Sequence, residues 1–509
     1  MRIKSSIILN LTILSFIFVS GLLIFYTTQD NDFYSLISTF LFKIAFLFFM
    51  SLVFNAKIDP REPIFMLAMV DAVFYGITYF LLFIFFKDSS IMSSPFYQTK
   101  NLIFPNIVNT IGWISFVIGY FLRLAYGNSF PPFIGKDVFK RFQRSLALDN
   151  QNFFQNYKKV EAFIIGWMGL SLILNLTIFL SRGTLRGTGN IPESVAFLVN
   201  LAGNFDIFII GLSTLVAARM NTKGSVSHIR SMLLLAFALL FLTGIKLLTS
   251  TAKETIVIPS LIAILVWYLR TGRFPIKLLS FGLIFYIVFA PINAYLRNDA
   301  EIVSNQSIQF YDYIRISLLV IEQMLTNREF LTDTVVGTLA RIDLVGASAA
   351  LINKVEAGLI PTSNGSSFLI FFYSFIPRLI IPFKPVNSDL YDAAYLGRAT
   401  GIIPFDNTST AIAFGASAEL YLNLKIPAVV LGMMVLGFLL KSFYDLIFQR
   451  PEFSDLSILA MSFPLYAVFS AYTSSFSSLA GTIPIAIVSI FIVFLVSYLV
   501  PTWDYEQSN

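Results

Sequence analysis

Gly337-Thr-Leu-Ala-Arg341-Ile-Asp343, Ile376-Pro377-Arg378-Leu-Ile-Ile-Pro382-Phe-Lys384-Pro385 and Ala418-Glu419-Leu-Tyr421-Leu-Asn423 are three pieces of the only long polar interval in this sequence. The interval separates an apolar run that ends near Arg297 from another that begins near Lys425. Cations, carboxylates and prolines gather in it. Everything around it is oily, and that contrast decides how the chain folds.

Apolar residues make up 56% of the 509, only 13% are charged, and 55 are phenylalanine. This composition excludes an ordinary soluble protein. Most of the chain is expected in lipid, where every backbone polar group must be paired within its own segment, so the spans are expected to be helices. There is no cysteine, which removes thiol nucleophiles, disulfides and thiolate metal sites together. The single histidine, His228, removes any histidine cluster.

Runs long enough to cross a bilayer recur at about 7–26, 33–54, 64–86, 107–125, 163–180, 195–218, 231–249, 255–270, 278–297, 426–447, 458–474 and 482–500. The expected fold is an all-α polytopic membrane protein of about twelve transmembrane helices. The first run follows Arg2 and Lys4 but is too long for a signal peptide and has no small-residue cleavage pattern, so it reads as a retained helix. With the N-terminus in the cytoplasm, the inside loops and Arg2 and Lys4 hold nineteen Lys and Arg; the short outside loops hold about six. The positive-inside rule then places both termini in the cytoplasm of a multi-pass inner (plasma) membrane protein, and 298–425 outside. The chain divides into spans over 1–297, an extracytoplasmic cap over 298–425 between spans 9 and 10, and spans over 426–509.

A structureless loop of that length is improbable. Helical spacing of Ile314, Leu318, Ile321 and Leu325 predicts a helix over 306–327. A second is predicted over 333–356, started by Thr332 or Asp333 and stopped by Gly358 and Pro361. Phe368 to Phe375 reads as a re-entrant or interfacial segment, and short helices are expected over 390–398 and 411–424.

Arg315, Arg341, Arg378, Lys384 and Arg398 fit together as an anion site, because guanidinium forks match phosphate oxygens bidentately. Taken singly, each reads equally well as a solvated residue or a headgroup anchor. The prolines of Pro377-Arg-x-x-x-Pro-x-Lys-Pro385 fix the backbone around Arg378 and Lys384 at the depth of a lipid-linked phosphate. Lys253, at the outer end of the seventh run, either closes that site from below or snorkels beside Glu254. Glu419 and Asp343 are the candidate general bases toward a sugar hydroxyl. The plainer reading is a buried ion pair, Asp343 with Arg378 or Glu419 with Lys384. Lys43 and Asp71 are costly inside lipid and are expected to pair with each other. The sequence has no P-loop, dinucleotide fingerprint, His-Glu-x-x-His or Gly-x-Ser-x-Gly, and its first outer loops carry no paired acidic motif. Any catalysis is therefore expected to be metal-independent and cofactor-free, resting on acid–base help and electrostatic stabilisation.

With about twelve spans, one large outer segment late in the chain and the three motifs above leading into Ile426-Pro427 and Gly432 to Gly437, the sequence resembles the O-antigen polymerase (Wzy-like) family. Ala418 stands where that family commonly has glycine before the glutamate. The resemblance implies an oligosaccharide repeat-unit polymerase, moving a growing glycan from undecaprenyl pyrophosphate onto a fresh lipid-linked repeat unit at the outer face of the membrane. It implies that Arg378, Lys384 and Arg341, with Arg398 and Lys253, hold pyrophosphate, that Glu419 or Asp343 activates the acceptor hydroxyl, and that Tyr391, Tyr395 and Tyr421 stack on sugars. Membrane lipids, a chain-length regulator and a flippase are the implied partners; nucleic acid is not. The alternatives are a polyprenyl-linked oligosaccharide flippase or other transporter, or an O-antigen ligase-like transferase. Related ligases often carry a histidine at the outer site, which this chain lacks.

Overall fold

The computed structural model describes residues 32–53, 62–86, 99–125, 157–182, 193–220, 226–249, 254–273, 275, 292, 310–374, 392–403, 405, 412–448, 455–479 and the short pieces 482–483, 486–487 and 489–490. Among these residues every regular element is helical. In chain order they are α1 (Asp32–Val53), α2 (Pro63–Ala72), a π-helical turn (Val73–Ile77), α3 (Thr78–Phe85), α4 (Thr99–Ala125), α5 (Tyr157–Arg182), α6 (Glu193–Met220), α7 (Val226–Thr249), α8 (Glu254–Thr271), α9 (Phe310–Thr326), α10 (Arg328–Ile342), α11 (Leu344–Glu356), α12 (Ser366–Ser374), α13 (Ala393–Thr400), α14 (Ala416–Phe448) and α15 (Asp455–Thr473).

Nine of the expected runs coincide with helices. The runs at 7–26 and 278–297 lie wholly or almost wholly outside the described residues, as does most of 482–500. Among the described residues, two helices are long and apolar enough to cross a membrane, over Leu102–Arg123 and Ala416–Asp445.

The chain forms two compact units that are discontinuous in sequence. One comprises 1–130, 339–446 and 467–484, the other 131–338, 447–466 and 485–509. In the second unit α5, α6, α7 and α8 form a bundle in which α6 touches each of the other three. Its stretch from Phe208 to Ala218 is buried all round, as a central helix must be. Gly211 admits Leu459 so closely that a Cβ there would lie 2.6 Å from it. Asp206, buried in the same helix, accepts a hydrogen bond from Trp167 Nε1 at 2.9 Å.

In the first unit α4 is the axis. α1 and α11 pack along it, and α14 meets it through glycines. A Cβ on Gly119 would lie 2.0 Å from the Met434 carbonyl oxygen, and one on Gly437 would lie 2.0 Å from that of Phe116. The two backbones therefore touch, which is how helices associate where small residues rather than water drive the packing.

α14 is not one rod. Leu424 (φ −139°, ψ 31°) and Lys425 (φ 54°, ψ −144°) leave helical geometry. Leu420 packs within 2.5 Å of where a Gly432 Cβ would stand, although twelve residues of straight helix would separate them by about 18 Å. The segment 416–423 thus folds back along the long helix that starts at Ile426. Its own far end is deep: Ser417 sits against Gly112, in the middle of α4.

The helix predicted over 333–356 is two helices. Asp343 ends α10 and caps α11, its carboxylate accepting from the N–H groups of Val345 (3.2 Å) and Gly346 (3.1 Å). That local capping outcompetes helix continuation. The expected starters Thr332 and Asp333 lie inside α10, which is capped instead by Asn327 through Phe330 N–H at 3.1 Å. The stop at Gly358 is as expected: its φ is +70°, and Leu359 N–H and Ile360 N–H both bond the Lys354 carbonyl.

Candidate functional site

Glu419 lies in the first turn of the folded-back segment and is completely buried. Its Oε2 accepts the backbone N–H of Ser477 at 3.0 Å. Its Oε1 is buried and makes no hydrogen bond of ordinary geometry among the described residues, although the Ser367 and Ser477 hydroxyls lie close to the carboxyl. Ser477 belongs to the turn Ser474-Ser475-Phe476-Ser477 that follows α15, and Ser474 accepts the N–H of Gly415 at 2.9 Å, just before the segment begins. Gly415 needs its φ of +83° here, and a Cβ would collide with the Tyr75 hydroxyl at 2.0 Å. Two broken helical elements therefore meet at Glu419.

The other end of the segment is tied by Asn423. Its Nδ2 donates to Ser367 Oγ at 2.7 Å and to the Glu419 carbonyl at 2.9 Å, and its Oδ1 accepts from Ser363 Oγ at 2.8 Å. Ser363 N–H caps the Leu422 carbonyl at 2.9 Å. At the break, Lys425 Nζ reaches Glu356 at 2.9 Å, and the Tyr421 hydroxyl donates to the same carboxylate at 2.5 Å. The Tyr421 hydroxyl first, and Lys425 after it, hold the Glu356 carboxyl below the usual carboxylate range.

Among the described residues, three further buried polar oxygens lack hydrogen-bond partners in this unit: Asn109 Oδ1 on α4, Ser478 Oγ, and Ser442 Oγ at the far end of α14. Asn109 falls near the level of Glu419, since Phe104 meets Tyr421 and Gly112 meets Ser417. It shares a face of α4 with Trp113 and Phe116, whose rings touch Tyr472 at 6.3 and 5.7 Å, one turn from the serine turn.

Deeper along α4 lies a second polar cluster. Lys43 Nζ bonds both Asp71 oxygens at 3.0 and 3.1 Å, so the expected pair forms. Tyr472 donates to Asp71 at 2.5 Å, and Lys43 stands 5.2 Å from the centre of the Tyr75 ring. Trp113 Nε1 donates to the Lys43 carbonyl at 3.1 Å. The π turn at Val73–Ile77 carries Tyr75.

No family model, curated protein or solved structure matches this chain.

The structure brings Glu419 and Tyr421 together on one segment. Tyr421 is 2% exposed and its ring meets that of Phe104 edge-on at 5.9 Å. Asp343 is buried as a helix cap. Arg341 lies in the last turn of α10, two residues before it. Tyr395 is half-exposed on α13, whose N-terminus Asp392 caps, and Arg398 lies in that helix's last turn. Arg378, Lys384, Tyr391 and Lys253 lie outside the described residues. Sequence reasoning missed Asn109, Ser477, Ser478 and the Glu356–Lys425 pair. The serine run 474–478 between two apolar stretches was the one available signal; Asn109 and Glu356 stand in no pattern.

Proposed function

We propose that this chain is a multi-pass protein of the plasma membrane, both termini cytoplasmic, that polymerises lipid-linked oligosaccharide repeat units at the outer face. The lipid setting is supported by inverted burial: Phe49, Ile77, Phe85 and Leu431 face outward, while Lys43, Asp71, Glu419 and Lys441 are buried.

The observation that carries the reading is Glu419. One of its oxygens is fixed by a backbone N–H and the other is available, at the junction of two broken helices in the one polar interval of the sequence. Irregular backbone at such depth is tolerated where it is enclosed by protein or lines a cavity. In the proposed reaction Glu419 Oε1 takes the proton of an acceptor hydroxyl, whose oxygen bonds to the anomeric carbon of the donor as its bond to pyrophosphate breaks. Arg378 and Lys384, with Arg341, Arg398 and Lys253, take up the charge on the departing undecaprenyl pyrophosphate. Asp343, already engaged as a cap, is the weaker base.

The test is Glu419→Gln expressed in a strain lacking the chromosomal copy. Single repeat units should accumulate outside the cytoplasm with normal amounts of inserted protein, and Arg378→Ala should do the same. Full-length polymer from Glu419→Gln overturns the assignment. The buried Lys43–Asp71–Tyr472 cluster favours a second reading, a polyprenyl-linked oligosaccharide transporter, since such groups mark paths through membranes. Carrier retained on the cytoplasmic side of the deletion strain would select it.

A further inference from the structure

Lys425 is a strained point of the first unit. Its φ of 54° with ψ −144° is close to a region essentially reserved for glycine, and such residues persist only where their surroundings over-determine them. Here the surroundings are few and identifiable. Lys425 Nζ is held by Glu356 at 2.9 Å, and the same carboxylate accepts the Tyr421 hydroxyl four residues earlier. One side chain on α11 therefore grips both sides of the Leu424–Lys425 break. Among the described residues, Tyr421 and Lys425 are the ionisable groups that act on Glu356.

What the grip closes is the polar interior described above. Glu419 Oε1, Ser478 Oγ and Asn109 Oδ1 are each buried and, among the described residues, make no hydrogen bond of ordinary geometry. Buried acceptors are costly to leave unmet, so the seated segment is a state that a donor from outside would relieve. The remaining ties of the segment are hydrogen bonds, from Ser363 to Leu422 and Asn423, from Asn423 to Ser367, and from Ser477 N–H to the Glu419 carboxyl.

We propose that Leu424–Lys425 is a strained hinge latched by Glu356, and that releasing the latch lets the 416–423 segment lift and opens the Glu419 site. The inference rests on the proposed function only for its purpose, which is admission of the acceptor; the hinge itself is a property of the fold. Lys425 leaves its strained conformation in the open state, so strain drives opening and the ion pair opposes it.

The chain has no cysteine, so one introduced thiol reports alone. Ser478→Cys removes a hydroxyl that has no partner and places a thiol in the closed site. The full chain in detergent is labelled with a water-soluble maleimide, whose rate follows the opening equilibrium. No glycan is needed, so the hinge can fail while the polymerase reading stands, or the reverse. In the Ser478→Cys background, Glu356→Gln should label roughly three- to tenfold faster, the size expected for a half-exposed ion pair plus one hydrogen bond. Adding Lys425→Gly, which makes the φ permissible, should return the rate toward that of Ser478→Cys alone. Unchanged labelling with Glu356→Gln overturns the latch. A Glu356→Gln/Lys425→Gly variant as fast as Glu356→Gln overturns the role of strain. Ala349→Cys, fully buried on α11, is the control: if Glu356→Gln speeds its labelling equally, the whole bundle has loosened and the hinge is overturned.

Discussion

Asp343 and Glu419 are both buried carboxylates, yet their oxygens are engaged differently. Both Asp343 oxygens accept helix N–H groups; Glu419 has one oxygen bonded to a backbone N–H and the other near only serine hydroxyls among the described residues. Their amide variants should therefore separate. Asp343→Asn retains a capping oxygen and should leave polymer formation near normal, while Asp343→Ala should lower stability by about 0.5–2 kcal/mol, the usual cost of a lost cap. Thermal unfolding in detergent measures the second, glycan length the first. A polymerase-dead Asp343→Asn with intact stability would instead make Asp343 the base. Glu356 supplies a pH signature. Its carboxyl is held low by Tyr421 and Lys425, so its contribution is complete above the unfolded pKa and is lost as pH falls through the lower, folded value. The stability gap between the natural chain and Glu356→Gln should be constant near neutrality and close only in acid, below the usual carboxylate range. A gap that closes near pH 7 would contradict the grip. Glu419 was legible in the sequence because a carboxylate there interrupts an apolar context. The Asp343 break was not, because aspartate within an apolar-periodic stretch reads equally as surface, and only its φ/ψ decides for a cap.

Hydropathy located most helices, since a long apolar run has few ways to satisfy its backbone. It also placed a boundary at Lys425, where a charge precedes Ile426-Pro427. It could not tell a boundary from a reversal. The fold-back of 416–423 depends on Leu420 meeting Gly432 and Ser417 meeting Gly112, contacts between positions whose spacing carries no signal. The contact of α4 with α14 is equally hidden, because glycines in apolar helices serve many ends. Its consequence is direct. Gly119→Leu must push α14 away from α4, since even a Cβ would stand 2.0 Å from the Met434 carbonyl. We expect at least about 1–3 kcal/mol of lost stability and a lowered unfolding temperature in detergent. Gly166→Leu, on the open side of α5 with nothing within 4 Å, should leave it unchanged.

The first unit is ordered in depth along α4. Phe104 meets Tyr421 beside Glu356 and Lys425. Trp113 meets the Lys43–Asp71 cluster. Tyr120 donates to Glu62 at 2.8 Å, where Lys441 also bonds Glu62 (3.3 Å) and Asp445 (3.2 Å). Sixteen residues of helix separate the first of these layers from the last, about 24 Å, against a hydrocarbon core of about 30 Å. One end layer carries the half-exposed Glu356 and Lys425, the other the partly exposed Glu62 and Asp445 around a buried Lys441, and the middle layer is an ion pair enclosed by aromatic rings, as a low-dielectric interior requires. That spacing suits a unit whose Glu356 end faces one aqueous side and whose Glu62 end faces the other. In the proposed orientation Lys57 and Arg61, which precede Glu62, would put that end in the cytoplasm. Asn364, exposed in the turn that follows α11, should then be outside. In a chain with no cysteine of its own, Asn364→Cys should react in intact cells with a membrane-impermeant maleimide, and Lys57→Cys should react only after permeabilisation. The reverse pattern would invert the orientation and remove Glu419 from the side where an outer-face polymerase must work; reaction of both in intact cells would mean that the unit does not span the membrane at all.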